Sequence, residues 1–295
     1  MKKLLLLLLM PLAVLTASAQ NNDYRMVIKL KDGKKIFLDA DNVENLTFEE
    51  KKIVEEYTVN DIFFRMVKVA GGTFQMGGTS EQGSDVKDNE KPVHSVTLSD
   101  YYIGETEVTQ ALWYAVMGYT PTPASPSSDN QWASTVGLGF TYPAYSVTWN
   151  DCQTFISKLN ELTGMSFRLP TEAEWEFAAR GGNYSQGYKY AGSNTIDDVA
   201  WYWDNSSYKT HPVGTKSPNE LGPYDMSGNV WEWCQDCYGS YGSSAQTNPT
   251  GPSSDYGRVL RGGSWVNYAR DCRVSIRNYD IPSIWTSTYG LRLAL

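Results

Sequence analysis

From Gly182 to the last residue the chain carries no apolar run at helical spacing; short apolar stretches alternate with connections rich in Gly, Ser, Asn and Pro. Helices belong to the middle of the chain. In SVTWNDCQTFISKLNELTG, Thr148 or Asn150 is placed as the N-cap, Cys152, Phe155, Ile156, Leu159 and Leu162 share one face, and Gly164 ends the helix. In FRLPTEAEWEFAARGG, Thr171 with Glu174 three residues on forms a capping box, and Gly181 and Gly182 close the helix. A further helix begins near Thr109, with Leu112, Val116 and Met117 at helical spacing, after a strand at residues 95–98. Two main helices set into an irregular, β-rich chain predict an α+β fold. The 25 Gly, 20 Tyr and 10 Trp fit a loop-rich scaffold with interlocking aromatic side chains, and leave aromatic material for a binding surface.

The N-terminus reads MKKLLLLLLMPLAVLTASAQ: two lysines, an apolar run and the small-residue site Ala17-Ser18-Ala19. This is a signal-peptide pattern, with cleavage expected after Ala19 and export to the periplasm, the cell surface or the medium. The run is too short for a comfortable membrane span, and nothing later is apolar enough, so the mature chain is not expected to span a membrane. Residues 20–57 predict a small β-hairpin module and linker. Met26 and Ile28 alternate with Val27 and Lys29, Asp32-Gly33 turns, and Ile36-Phe37-Leu38 returns before the charged joint EEKKIVEEY. A single large domain is expected over residues 58–295, with residues 119–139 as an exposed polar insertion. The formal charge is −8. With no basic cluster, a nucleic-acid partner is excluded.

Six motifs follow in order: GGTFQMG (residues 71–77), ETEVTQALW (105–113), YPAYSVTWNDC (142–152), FRLPTEAEWEFAARGG (167–182), LGPYDMSGNVWEWC (221–234) and RVLRGGSW (258–265), with GLRLAL closing the chain. Together they resemble the formylglycine-generating enzyme (sulfatase-modifying factor) family. The resemblance covers residues from about 58 to 295 and implies an irregular, loop-rich variant of the C-type-lectin fold. It also implies a test of activity. The family's oxidases hold copper(I) with two cysteines five residues apart after the GGS motif, and soft thiolates are what copper(I) prefers. Here Asn267 stands at the first position. Cys272 falls at the second by counting, or at neither if the segment is shorter, as Arg273 to Arg277 suggest. Copper is therefore not expected, no residue is assigned as catalytic, and Cys272 is the weakest of candidates. The alternative is an oxidase acting on sulfatase cysteines or another oxidase of the family.

The resemblance further implies a structural calcium ion held by the Asp225 side chain, the Gly228 and Val230 carbonyls and the Glu232 carboxylate, all suited to a hard cation. The alternative is that Glu232 and Asn229 only brace the loop. Cys234-Gln235-Asp236-Cys237 is read as packing or a disulfide, since neither a βαβ setting nor zinc-type spacing accompanies it. Glu176 is expected on an exposed helical face, and His94 and His211 in loops without a nucleophile signature.

From Trp265 onward, framework positions such as Arg273 and Arg277 interleave with apolar, aromatic and small polar ones that follow no period. The mixture resembles a paratope. Tyr268, Asp271, Tyr279, Asp280, Trp285 and Tyr289 are the expected ligand contacts, for an unknown protein or glycan. The segment also resembles the variable C-terminus of retroelement-diversified proteins of the lectin fold; an undiversified relative with an aromatic loop is the other reading.

Overall fold

The computed structural model describes residues 25–29, 35–39, 53–120, 134–253 and 257–295. The chain divides into two units, Met1–Lys51 and Lys52–Leu295. In the first, β1 (Arg25–Lys29) and β2 (Lys35–Asp39) pair antiparallel, Arg25 opposite Asp39 and Lys29 opposite Lys35. The leader at residues 1–19 lies outside the described residues.

The second unit begins earlier than the sequence suggests. VEEYTV, read as part of a linker, is β3 (Val54–Val59), paired along its length with β4 (Ile62–Val69). Its glutamates are on an exposed strand, which hides the usual alternation. The turn between them places Asn60 and Asp61 at φ 46° and 65°, the left-handed pair that a two-residue hairpin turn requires and that Asn and Asp tolerate best. Next come β5 (Gly72–Met76), β6 (His94–Leu98) and β7 (Tyr101–Gly104). After the helices come β8 (Trp231–Cys237), β9 (Gln246–Thr247), β10 (Arg258–Arg261), β11 (Arg277–Asp280) and β12 (Tyr289–Leu291). They form three small sheets, ordered β3-β4-β7, β5-β6-β9 and β11-β10-β8-β12. β12 runs parallel to β8, so the end of the chain returns to a sheet edge; Leu295 then exchanges backbone hydrogen bonds with Tyr102.

Among the described residues three helices of two turns or more are present, the one expected near Thr109 and the two main ones: α1 (Gln110–Met117), α2 (Trp149–Thr163) and α3 (Glu172–Ala179). Thr148, not Asn150, caps α2. Its hydroxyl accepts from the Asp151 N–H while the Asp151 carboxylate accepts from the Thr148 N–H. Thr171 and Glu174 make the expected box on α3. Trp113 stacks on Phe155 at 5.0 Å, joining α1 to α2 inside the larger core. Leu162 stands outside that core, 54% exposed, because the last turn of α2 projects past it. His94 is buried in β6 and packs on Tyr241 rather than lying in a loop.

Glu176 departs most from expectation. It is fully buried, between Arg261 at 2.6 Å and Arg180 at 2.8 Å. Nearby Glu172 is gripped by Arg277 through two hydrogen bonds. Buried carboxylates survive desolvation only when paired in this way. Asp236 on β8 has no such cation. It accepts one bond from the Glu172 N–H, and burial, with Glu172 adding repulsion, pushes its carboxyl from 3.8 to about 8. A carboxyl raised in the folded state supports folding only while protonated. Stability should therefore fall as pH rises from about 4 through about 8. Asp236→Asn keeps an acceptor for the Glu172 N–H and has no proton to lose, so it should flatten that decline in urea titrations across the window. An unchanged slope in the variant would place the titration elsewhere.

Candidate functional site

The loop after β10 carries Cys272. Gly262 and Gly263, at φ 97° and 78°, fold it tightly: a Cβ on Gly263 would lie 2.5 Å from the Asp271 carbonyl oxygen and 2.8 Å from the Cys272 sulfur. Cys272 is wholly buried, packed in a small cluster with Tyr190, Val199, Ala200 and Tyr202. Burial, and then the Asp271 carboxylate, push its thiol far up, so the group is neither exposed nor a thiolate. Asn267 is committed to structure: its side-chain oxygen accepts from the Ser264 hydroxyl at 2.6 Å and its carbonyl from the Trp203 N–H. Cys234 and Cys237 are free thiols on β8. Cys234 is buried and Cys237 half-buried, and no disulfide joins them.

Several aromatic and apolar residues of the same C-terminal segment are exposed, alongside the polar Arg270, Asn278 and Ser283. Tyr268 is 50% exposed and Trp285 and Tyr279 each 38%, with Ile281 and Ile284 also exposed. Tyr289 is not among them. It lies in β12, only 8% exposed, with its ring 5.3 Å from Trp233 and its hydroxyl donating to Asp280. A tyrosine beside the closing Gly290-Leu291-Arg292 is inside because β12 inserts next to β8. Asp280, half-buried, thereby serves Tyr289 and the Ile281 N–H, and Asp271 is ion-paired with Lys87 at 2.7 Å. Both acids brace the surface rather than extend from it. Tyr268 packs on Trp203 at 5.6 Å, and Tyr208 meets Trp203 edge-on at 4.9 Å, while Tyr279 stacks on Tyr238 at 4.2 Å. Trp203 and Tyr208 were missed; their signal was the aromatic density of WYWDNSSY in a stretch with no period. Trp231, Trp233 and Trp265 are buried, as expected of the motif tryptophans.

The acidic loop before β8 is a separate construction. Asp225 and Asn229 both sit at positive φ, 57° and 55°, with Gly228 between them at 81°. Asp225 accepts from the Gly214 N–H at 2.7 Å, and its buried carboxyl also meets the Glu107 side chain. Glu232 has a different role from the one expected. Arg292 bridges its two oxygens and the Trp175 indole N–H donates at 2.6 Å, so its acceptor positions are filled. Asn229 donates to Glu107, a residue the sequence reading did not assign to this site, whose carboxyl also hydrogen-bonds the Asp225 side chain. Burial, then Asp225, push the Glu107 carboxyl well up; burial raises Asp225 to about 6. Three acids thus share the single buried cation Arg292. Among the described residues no three His, Cys, Asp or Glu side chains converge closely enough to hold a metal ion. A calcium ion fits the Asp225 carboxyl, where it would take the place of the proton between Asp225 and Glu107, and does not fit Glu232.

Small twisted sheets, short capped helices and a C-terminal strand folded back beside β8 define a C-type-lectin-like domain of the sulfatase-modifying kind. The chain belongs to that family: residues 52–295 match the sulfatase-modifying factor enzyme 1-like domain. It is 34% identical over 248 residues to chaperone protein LppX of Paenibacillus barcinonensis, covering 71% of this chain and 81% of the relative. It is 30% identical over 284 residues to the formylglycine-generating enzyme of Streptomyces coelicolor, covering 77% and 88%. Among solved structures it is similar to Treponema denticola variable protein 1, with a TM-score of 0.70 and 35% identity over 83% of this chain and 99% of that one. PvdO from Pseudomonas aeruginosa follows at 0.62 and 27%, over 78% and 93%.

Calcium is accordingly proposed on Asp225 with the Gly228 and Val230 carbonyls, without Glu232. An ion bound only by the native state raises stability by mass action. Adding calcium to chelator-treated protein should raise the melting temperature, and Asp225→Asn should abolish the rise. A wild-type melting temperature indifferent to calcium removes the ion from this loop.

Proposed function

We propose that this chain is an exported binding protein that uses the sulfatase-modifying scaffold without its copper oxidase chemistry. It engages a protein or glycan through the surface formed by the C-terminal segment and the Trp203–Tyr208 loop. One observation carries the reading. Cys272 is fully buried, whereas Tyr268, Tyr279, Ile281, Ile284 and Trp285, from the same stretch of chain, are exposed. A reactive thiol needs access and ionisation. Exposed aromatic and apolar side chains, in contrast, cost solubility and suit contact. The similarity to Treponema denticola variable protein 1 supports a scaffold whose outward positions tolerate change.

Two experiments test it. A sulfatase-motif peptide incubated with the protein, copper(I) and oxygen should keep its cysteine thiol; the mass change of CH₂SH becoming CHO would restore the oxidase reading. Separately, Tyr268→Ala and Trp285→Ala should leave the unfolding free energy nearly unchanged. Trp233→Ala should cost roughly 3–5 kcal/mol as a buried large aromatic. On arrays of glycans and cell-surface proteins, the same two surface variants should lose the contacts that wild type makes. Denaturation showing Trp285 as costly as Trp233 would place it in the framework and sink the surface.

A further inference from the structure

Asp236, on β8, is buried and accepts from the Glu172 N–H at 3.1 Å. A single layer of chain covers it. A Cβ on Gly251 would lie 2.8 Å from the Asp236 Cβ and 3.2 Å from its Oδ1, yet Gly251 is itself exposed, so solvent begins just beyond that backbone. Gly251 belongs to residues 238–253, which leave the end of β8, reach β9 and come back. Residues 242–248 and 250–253 are exposed, and the whole segment carries no charged side chain. Its base is fastened deeply, through the Gly239 carbonyl on Arg277 and the Tyr241 hydroxyl on Glu172. The outer limb is fastened lightly. β9 pairs with β6 at two positions, and Asn248 adds hydrogen bonds to the Thr97 carbonyl and to Ser99. Beneath the limb, the charged groups facing Asp236 are mostly of its own sign. Glu172 and Glu174 on α3 repel its carboxylate; Arg277 on β11 attracts it but is held by Glu172 at 2.7 Å. Arg168 is paired with Glu174, and Arg261 on β10 with Glu176 and Glu172. Cys234, on the same strand, is a buried thiol.

We propose that residues 248–253 are a pH-released flap over Asp236, closed while that carboxyl holds its proton and opened when the proton leaves. A carboxylate formed under the flap has two acids beside it, no cation of its own and no water. Lifting Gly251 hydrates it at the expense of few contacts, because the limb is exposed and lightly held. Burial, with Glu172 adding repulsion, raises the covered carboxyl from 3.8 to about 8; uncovered, it returns toward the lower value. Between these two values opening therefore releases a proton, and the open fraction grows with pH. The rise is at most roughly tenfold per pH unit and levels off above about 8, where the closed form is already ionised. The flap also touches the base of its own segment: a Cβ on Gly239 would lie 2.7 Å from the Pro252 ring. Tyr238, next to Gly239, stacks on Tyr279, so opening loosens a ring pair of the proposed contact surface. That consequence rests on the contact-surface reading; the release of the flap does not.

Amide hydrogen exchange of the full chain reads the flap with no ligand present, so its result is independent of whether the contact surface binds anything. Rates are expressed as protection factors, which removes the intrinsic pH dependence of exchange. The reporter is the Asn248 N–H, which donates to Thr97 at 2.9 Å. Its protection should fall from about pH 5 to about pH 8, by up to roughly tenfold per unit, and then level off. Amides of α2, remote from the flap in sequence, should show no such fall. Asp236→Asn keeps an acceptor for the Glu172 N–H and has no proton to lose, so Asn248 should stay protected across the whole range. Should that variant fail to fold, the wild-type slope, its levelling near pH 8 and its absence from α2 still decide. A flat wild-type profile at Asn248, a slope shared by α2, or a slope that persists in folded Asp236→Asn would each overturn the flap.

Discussion

Arg261 has no exposed surface, and its guanidinium reaches Glu176 at 2.6 Å, Glu172 at 3.4 Å and the carbonyls of Val274 and Ser275. One side chain thus ties β10 to α3 and to the loop leading into β11. Three more arginines repeat the device. Arg273 clamps Glu90 from two sides, Arg277 holds Glu172 together with the carbonyls of Asn89 and Gly239, and Arg292 joins Glu232 to the carbonyls of Gly104 and Tyr224. In a chain whose sheets are this small, backbone ladders leave many loops unsupported. Planar guanidinium groups with several donors gather loop carbonyls and carboxylates in one place. The desolvation cost is large, and the return is a defined loop path.

All four of these arginines come from residues 261–292, the segment that also bears the proposed contact surface. Inward and outward positions therefore carry separate duties. Arg273, Ser275 and Arg277 are buried in the ionic framework, and Tyr268, Tyr279, Ile281 and Trp285 face outward from the same stretch. A change at an outward position leaves the arginine–carboxylate pairs of the framework in place. Tyr289 shows the limit of the division: one residue before Gly290 the chain has already entered β12, and the ring belongs to the core.

The helices were legible because caps and periodicity are local signals. Thr148 with Asp151 and Thr171 with Glu174 specify helix starts within four residues. The ordered motifs gave the family and hence the lectin-like architecture. Burial of charge was not legible. Glu176 sits at an ordinary helical position, and only the arrival of Arg261 from a distant part of the chain takes it inside. Glu107 was missed for the same reason, since its partners Asn229 and Asp225 are more than a hundred residues away in sequence. β3 was lost in a charged stretch because an exposed edge strand carries glutamates as readily as a linker does.

The loop after β10 shows how activity and fold separate. In an oxidase of this family the two cysteine positions carry the chemistry, and replacing either would be expected to disable it. Here Asn267 satisfies the Ser264 hydroxyl through its side chain and the Trp203 N–H through its carbonyl, while Cys272 fills space between Tyr190 and Tyr202. Each side chain is accounted for by packing or hydrogen bonds alone. The tight turn at Gly262 and Gly263 is held by close protein neighbours, Trp175 and the Met226 carbonyl beside one glycine and Asp271 and Cys272 beside the other. The carbonyl of Asn267 accepts from the Trp203 N–H, so this residue positions a neighbour of Tyr268. Under the proposed function, the same place would carry an ordered aromatic surface in place of a reactive centre.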